Sequence, residues 1–305
     1  MKLSNLEIMK KIGEAKQFQR LGKLKEAEKV YEDALSNNGN SFELSYSYAL
    51  FLKDLKNYAL SKKLLVNLTK LFPSEMKPYI MISDILTIEN RLSEAEQVLL
   101  LAKKIDPRNS DVIYNFARLY WTGKNFELSL KYINKAIELN KDVDNYKILK
   151  ADILICKDQL DEALAILNLL KNNEKNNKQI QIINLISQIH IRNKNFGKAE
   201  DILLELTEKY ENLELGYLNL SNLYVLTKEL EKGLNIIKKG LNIFPNYIPI
   251  YKNLAIIYKN KGQLNKAAEV HLNIIKKNKY DFNSYYELST IYDFQDHKDD
   301  LNLLL

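Results

Sequence analysis

This chain of 305 residues has little of what most chemistry depends on. Its single cysteine, Cys156, excludes an internal disulfide and fits a reducing compartment. The three histidines, His190, His271 and His297, stand far apart, and none has a second His or Cys at metal-ligand spacing. Glycine is scarce at nine residues, and neither G-x-x-x-x-G-K-[ST] nor G-x-G-x-x-G occurs to cradle a phosphate. Adjacent carboxylates such as Asp161 and Glu162 read as helix-start charges, not as a catalytic pair. The chain is therefore expected to be no enzyme, with no cofactor and no metal. Long apolar runs are missing as well. Val98 to Ala102 is the sort of short run found, far below a membrane span, and Met1 to Glu7 holds no signal-peptide core. A cytoplasmic protein with no membrane insertion is expected. The net charge of +6 is modest for this length, so nucleic acid is not an expected partner.

Strand signals are weak too, with no sustained period-two alternation. What the chain does have is a lattice. Of five prolines, Pro73 and Pro107 lie 34 residues apart, and Pro245 follows four such periods plus two residues later. Proline lacks an N–H and fixes φ, so a recurring proline marks a recurring joint between helices. Pro78 and Pro249 come a few residues after a joint, where the next helix begins. Cutting at this phase gives units starting at Ile8, Phe42, Met76, Ser110, Asp144, Ile180, Glu214 and Ile248, and a partial ninth at Phe282. Residues 1–7 are a lead-in, 8–281 hold eight units, and 282–305 are a partial unit or a cap. The one irregular spacing, 36 from Asp144 to Ile180, coincides with the polar run Lys171 to Lys178, a natural loop insertion.

Three columns recur in phase. The eighth residue is always small: Ala15, Ala49, Ser83, Ala117, Ala151, Ser187, Ser221, Ala255 and Ser289. Twelve residues on stand Ala27, Ser61, Ala95, Ser129, Ala163, Ala199, Gly233 and Ala267, and three before these a bulky series runs from Leu24 through Tyr58 and Phe126 to Leu264. Small residues let two helices approach, and large ones are expected to fill the gaps beside them. Each unit reads as two helices, as in Ser110 to Thr122 and Phe126 to Leu139 broken by Gly123-Lys124-Asn125. Ser4 with Glu7, and Ser93 with Glu96, read as capping boxes, and Asn38-Gly39 reads as a helix stop.

Leu254-Ala255-Ile256-Ile257-Tyr258 followed by Gly262 and Ala267, and Phe116-Ala117-Arg118-Leu119-Tyr120 followed by Ala136, resemble the tetratricopeptide (TPR) repeat. The resemblance runs from Ile8 to Asp281. It departs at His190 and His271, which stand where aromatic residues are usual, and at Lys147 and Lys150 in apolar places. It implies an all-α fold, a right-handed superhelical solenoid of antiparallel helix pairs whose first helices line a concave groove. The residues it would direct into that groove are Tyr46 and Lys53, Asp84, then Tyr114, Asn115, Arg118 and Trp121, followed by Gln188, Asn219, Asn222, Lys252, Asn253, Lys259 and Tyr286. Rings supply contact area, and amides pair with a ligand's main chain. Trp121, the sole tryptophan, either faces this groove or packs sideways on its neighbours.

Two binding modes of the family are testable against these residues. A carboxylate clamp is not expected, since Ile256 follows Lys252 where Asn is required and Ile12 replaces the lysine of the first unit. An asparagine ladder has Asn115, Asn219 and Asn253 in place, but Gly13, Ser47, Met81, Leu149 and Leu185 interrupt it. Seven lysines between Ile248 and Asp281, beside an acidic end, suit either an acidic ligand or solubility. The resemblance thus implies a non-catalytic scaffold that binds a peptide or partner protein. The alternative is the recruiting arm of a larger sulfotransferase or glycosyltransferase, because the ninth unit departs from register after Asp296 and the sequence ends in Leu303-Leu304-Leu305.

Overall fold

The computed structural model describes residues 3–38, 40–171 and 178–291. The expected insertion falls mostly outside them, as do Gly39, His297 and the departure of the ninth unit. Among the described residues every regular element is an α-helix, seventeen in all. The odd-numbered helices are α1 (Asn5–Arg20), α3 (Phe42–Asp54), α5 (Met76–Ile88), α7 (Ser110–Thr122), α9 (Asp144–Cys156), α11 (Gln179–Arg192), α13 (Glu214–Leu226), α15 (Ile248–Asn260) and α17 (Phe282–Ile291). The even-numbered helices are α2 (Leu24–Asn38), α4 (Tyr58–Leu71), α6 (Leu92–Ile105), α8 (Phe126–Leu139), α10 (Leu160–Lys171), α12 (Phe196–Lys209), α14 (Leu230–Ile243) and α16 (Leu264–Lys277). The chain divides into two compact units, Met1–Ala163 and Leu164–Leu305, with the division inside α10. The architecture is an all-α helical repeat solenoid.

Backbone geometry closes each helix pair in the same way. One residue of the three-residue turn takes positive φ: Gly22, Lys56, Asn90, Lys124, Asp158, Lys194, Lys228 and Gly262, all between 57° and 72°. Only two are glycine, so six turns hold an L-residue in a region that costs it roughly 1 kcal/mol. The reward is a compact hydrogen-bonded reversal, as where Asn125 N–H donates to the Tyr120 carbonyl at 2.8 Å. At two proline-marked joints between pairs a tyrosine clasps the chain. Tyr79 and Tyr251 donate to the carbonyls of Pro73 and Pro245, at 3.3 and 2.7 Å. Pro78 and Pro249 sit in the first turns of α5 and α15, where a missing N–H costs nothing.

Helix ends follow local chemistry. Ser4 and Glu7 form a complete capping box on α1. The box expected at Ser93 does not form. α6 begins two residues earlier than that box requires, with Arg91 as its N-cap, and Ser93 lies inside the first turn. Arg91 instead grips Glu94 through two N–H···O bonds of 2.7 and 2.6 Å, and Glu96 is occupied by the Tyr120 hydroxyl. Asn57, Asn109 and Asn125 cap α4, α7 and α8 through their side-chain oxygens.

The two small columns face each other. From Ala15 to Ala255 the eighth residues are buried, and Ser61 and Ser129 donate across to the carbonyls of Ala49 and Ala117 at 2.7 and 2.8 Å. At Gly233 a Cβ would lie 3.3 Å from Ile257 Cδ1, so the alanine or serine of the other units would fit there only after that side chain eases away. The bulky column fills the flank of the core as expected in most units, with Tyr58, Leu92, Phe126, Phe196 and Leu230 partly buried against it. Leu24 and Leu264 are the exceptions, more than two-fifths exposed at the rim of their turns. The deeper filling comes one turn or two further on, from residues such as Leu65, Leu99, Ile133, Leu203 and Ile237, all fully buried.

Candidate functional site

In the first compact unit, α1 packs on α3, α5 on α7, and α7 on α9, so first helices lie side by side in one layer. Comparable packing between second helices is absent among the described residues. The layer of first helices is therefore the tighter one. On it sits a charged cluster centred on Asp84 of α5. Lys53 of α3 pairs with one carboxylate oxygen, and Arg118 of α7 reaches the other at 2.8 Å. Burial pushes the Asp84 pKa up, but Arg118 and Lys53 together outweigh it and hold the carboxyl below its ordinary range. Arg118 is further fixed by Asn115, whose amide oxygen accepts at 3.2 Å while its nitrogen donates to the Asp111 carbonyl at 2.8 Å.

Tyr46 and Tyr114 flank this cluster. Tyr46 stacks on Phe42 with ring centroids 5.6 Å apart, and Tyr114 on Tyr146 at 4.7 Å. Burial raises the pKa of both phenols, and Asp84 adds to it, so each hydroxyl keeps its proton. Neither hydroxyl has a hydrogen-bond partner among the described residues. Trp121, one turn beyond Arg118, is half-buried against the cluster of Ile113, Ile133 and Tyr146. Its ring packs sideways, and Nε1 is buried without a partner among the described residues.

The second compact unit arranges its predicted residues differently. Asn219 donates to the side-chain oxygen of Asn184, and Asn253 to Asn222 at 2.9 Å and Ser221 at 2.8 Å. These amides tie α11 to α13 and α13 to α15, and Asn253 is buried. Lys252 and Lys259 of α15 pair with Asp281 and Glu287 at 2.7 and 2.8 Å. Lys277 and Lys261 are likewise engaged, with the Pro245 carbonyl and with Glu231. Gln188 and Tyr286 are exposed on α11 and α17. Sequence reasoning thus located the residues on first helices but missed Asn184 and Ser221, which share the amide seam. Asn184 stands at the fifth place of its unit, as Asn219 does not, and its Asn-to-Asn pairing with the next unit was the available signal.

His190 and His271 are helix-contact residues. His190 Nδ1 is buried with no partner among the described residues, and burial followed by Lys198 lowers its pKa. Lys147 and Lys150 reach Asp144 and Glu162 at 3.9 and 3.2 Å, which keeps their charged heads out of the apolar places they occupy. Among the described residues no three His, Cys, Asp or Glu cluster to hold a metal, and no helix is long and apolar enough to cross a membrane.

Known proteins share this construction. Residues 110–143, the pair α7 and α8, match the family model described as Tetratricopeptide repeat. Yeast Tom70 superposes with a TM-score of 0.66 at 17% identity, over 88% of this chain and 57% of that one. A tetratricopeptide repeat protein from Parabacteroides merdae gives 0.63 at 15% identity, over 81% and 97%. The Cut9–Hcn1 hetero-tetramer of the APC/C gives 0.59 at 12% identity, over 88% of this chain and 52% of that one. The chain therefore spans little more than half the length of Tom70 and of the matched Cut9–Hcn1 chain. Among curated proteins no sequence matches. At these identities the structural likeness establishes the fold. Together with the matched repeat, it defines the class: the chain carries a tetratricopeptide repeat at residues 110–143 within an all-α helical repeat solenoid.

Proposed function

We propose that the chain is a non-catalytic scaffold of eight repeats that binds a segment of a partner protein on its layer of first helices. The observation that carries this is the Asp84 cluster. Asp84 holds Lys53 and Arg118 in place before any ligand arrives, and pre-organised donors lose less freedom on binding. Arg118 remains about two-fifths exposed with N–H groups to offer, between two tyrosine hydroxyls that lack partners among the described residues. Aromatic rings and an anchored guanidinium are what binding hot spots contain. Asn115 serves this surface by orienting Arg118, and Tyr114 and Trp121 both pack on the apolar cluster beneath it.

Photo-cross-linking tests the reading. A benzophenone amino acid at exposed Thr122, one turn beyond Arg118 on α7, should capture a defined protein in extracts of the source cell, and the same probe at exposed Lys63 on α4 should not. Equal capture from both positions, or none from 122, would remove the proposal.

A further inference from the structure

One joint in the stack differs in chemistry from the others. At the eighth place of the second helices stand fully buried apolar residues, Leu65, Leu99, Ile133, Leu203 and Ile237 among them. In α16 that place is held by His271. The third place of the following unit is apolar at Leu44, Val112, Ile182 and Ile250, and at this joint alone of those described it is a serine, Ser284 of α17. The two replacements answer each other, with His271 Nδ1 lying 3.1 Å from Ser284 Oγ. Above this pair opens a cavity of about 230 Å³ between α15, α16 and α17. That is below the ~300 Å³ at which small-molecule pockets begin, and of the order of one large side chain.

The walls define the occupant. Lys252 and Lys259 line the cavity, but each is paired, with Asp281 and with Glu287. An anion would meet two carboxylates and a cation two ammonium groups, so a neutral group fits best. Ile256 and Tyr286, 45% and 68% exposed, give the rim an apolar character. The floor is polar and uncharged. Burial lowers the His271 pKa, Glu287 opposes it, and Lys259 adds to the lowering. The second imidazole nitrogen, Nε2, has no partner among the described residues. Whether Nε2 is donor or acceptor depends on the direction of the bond to Ser284. A tip that both donates and accepts satisfies either tautomer, and a phenol is such a tip on an apolar body.

We propose that this cavity is a subsite for one tyrosine side chain of the partner polypeptide, its ring between Ile256 and Tyr286 and its hydroxyl on His271. The source of that tyrosine rests on the scaffold reading, but the subsite can be tested without a partner. N-acetyl-tyrosinamide and N-acetyl-phenylalaninamide are titrated into the full chain while the His271 imidazole signals are followed by NMR, assigned with His271→Leu. The tyrosine amide should shift them saturably, with the phenylalanine amide about three- to tenfold weaker, the worth of one net hydrogen bond. His271→Leu, which restores the aliphatic residue of the column, should abolish the preference. Ile256→Glu on the rim should weaken both amides while leaving the fold intact. Equal binding of the two amides, a preference that survives His271→Leu, or no shift up to the solubility limit would overturn the subsite. None of those results bears on capture at position 122, so the two failures are distinguishable.

Discussion

Asp84 lies on a surface layer, yet its side chain is only 14% exposed and shares its two oxygens between cations from two other helices. Replacing it with Asn removes both pairs and leaves Lys53 and Arg118 repelling one another. Urea unfolding should show Asp84→Asn destabilised by about 1–2 kcal/mol. Because the folded carboxyl titrates below the ordinary value of 3.8, this contribution is fully present above about pH 4 and disappears as pH falls through the lower folded value. His190 works with the opposite consequence. Its pKa is depressed below 6.5, so the unfolded chain binds the proton more readily and stability falls between pH 7 and pH 5. His190→Phe removes a buried nitrogen that lacks a partner among the described residues and brings back the aromatic character that Tyr120, Tyr224 and Tyr258 have at the same place of their units. The variant should melt higher than the parent, with a gap that widens toward pH 5. A gap that narrows would show that the imidazole is stabilised in its charged form. Neither environment was legible in the sequence. The spacing put Asp84 and His190 on helices, but the cations around one and the missing partner of the other arise only when neighbouring repeats are packed.

At the scale of the element, the turn within each helix pair is the repeated device. Its left-handed residue recurs in register from Gly22 to Gly262, and lysine holds the place in four turns. The lattice of prolines and small residues made the helix pairs visible, because helix stops and close approaches leave compositional traces. The left-handed turn leaves almost none, since lysine and aspartate are tolerated where glycine would be expected. At Gly22 and Gly262 nothing lies within 4 Å of the point where a Cβ would stand, so alanine there meets only the backbone penalty. Gly22→Ala and Gly262→Ala should each cost about 1 kcal/mol in chemical unfolding. A cost near zero would mean that the turn relaxes to negative φ without disturbing its helix pair. The misplaced cap at Ser93 teaches the complementary lesson: a Ser-x-x-Glu pattern is overridden when the packed helix starts two residues earlier.

At the scale of the whole molecule, the repeated pair explains why the all-α class could be read from a sequence with so little chemistry in it. Small columns at fixed spacing demand close helix contacts, and they are buried as that demand requires, with Ser61 and Ser129 bonding across the pair. The candidate surface was only partly legible. Its residues were named from their place in the unit, but place alone does not separate Arg118, anchored with donors to spare, from Asn253, whose amide is buried against Ser221 and Asn222. That distinction depends on which residues the adjoining repeats present. The most direct measurement is the affinity of the captured partner for purified variants at matched ionic strength. Arg118→Glu should weaken binding at least about tenfold, the loss of a charge-assisted contact, and Lys63→Glu on α4 should leave it unchanged. Equal affinities for parent and Arg118→Glu, or a loss confined to Lys63→Glu, would contradict binding on the layer of first helices.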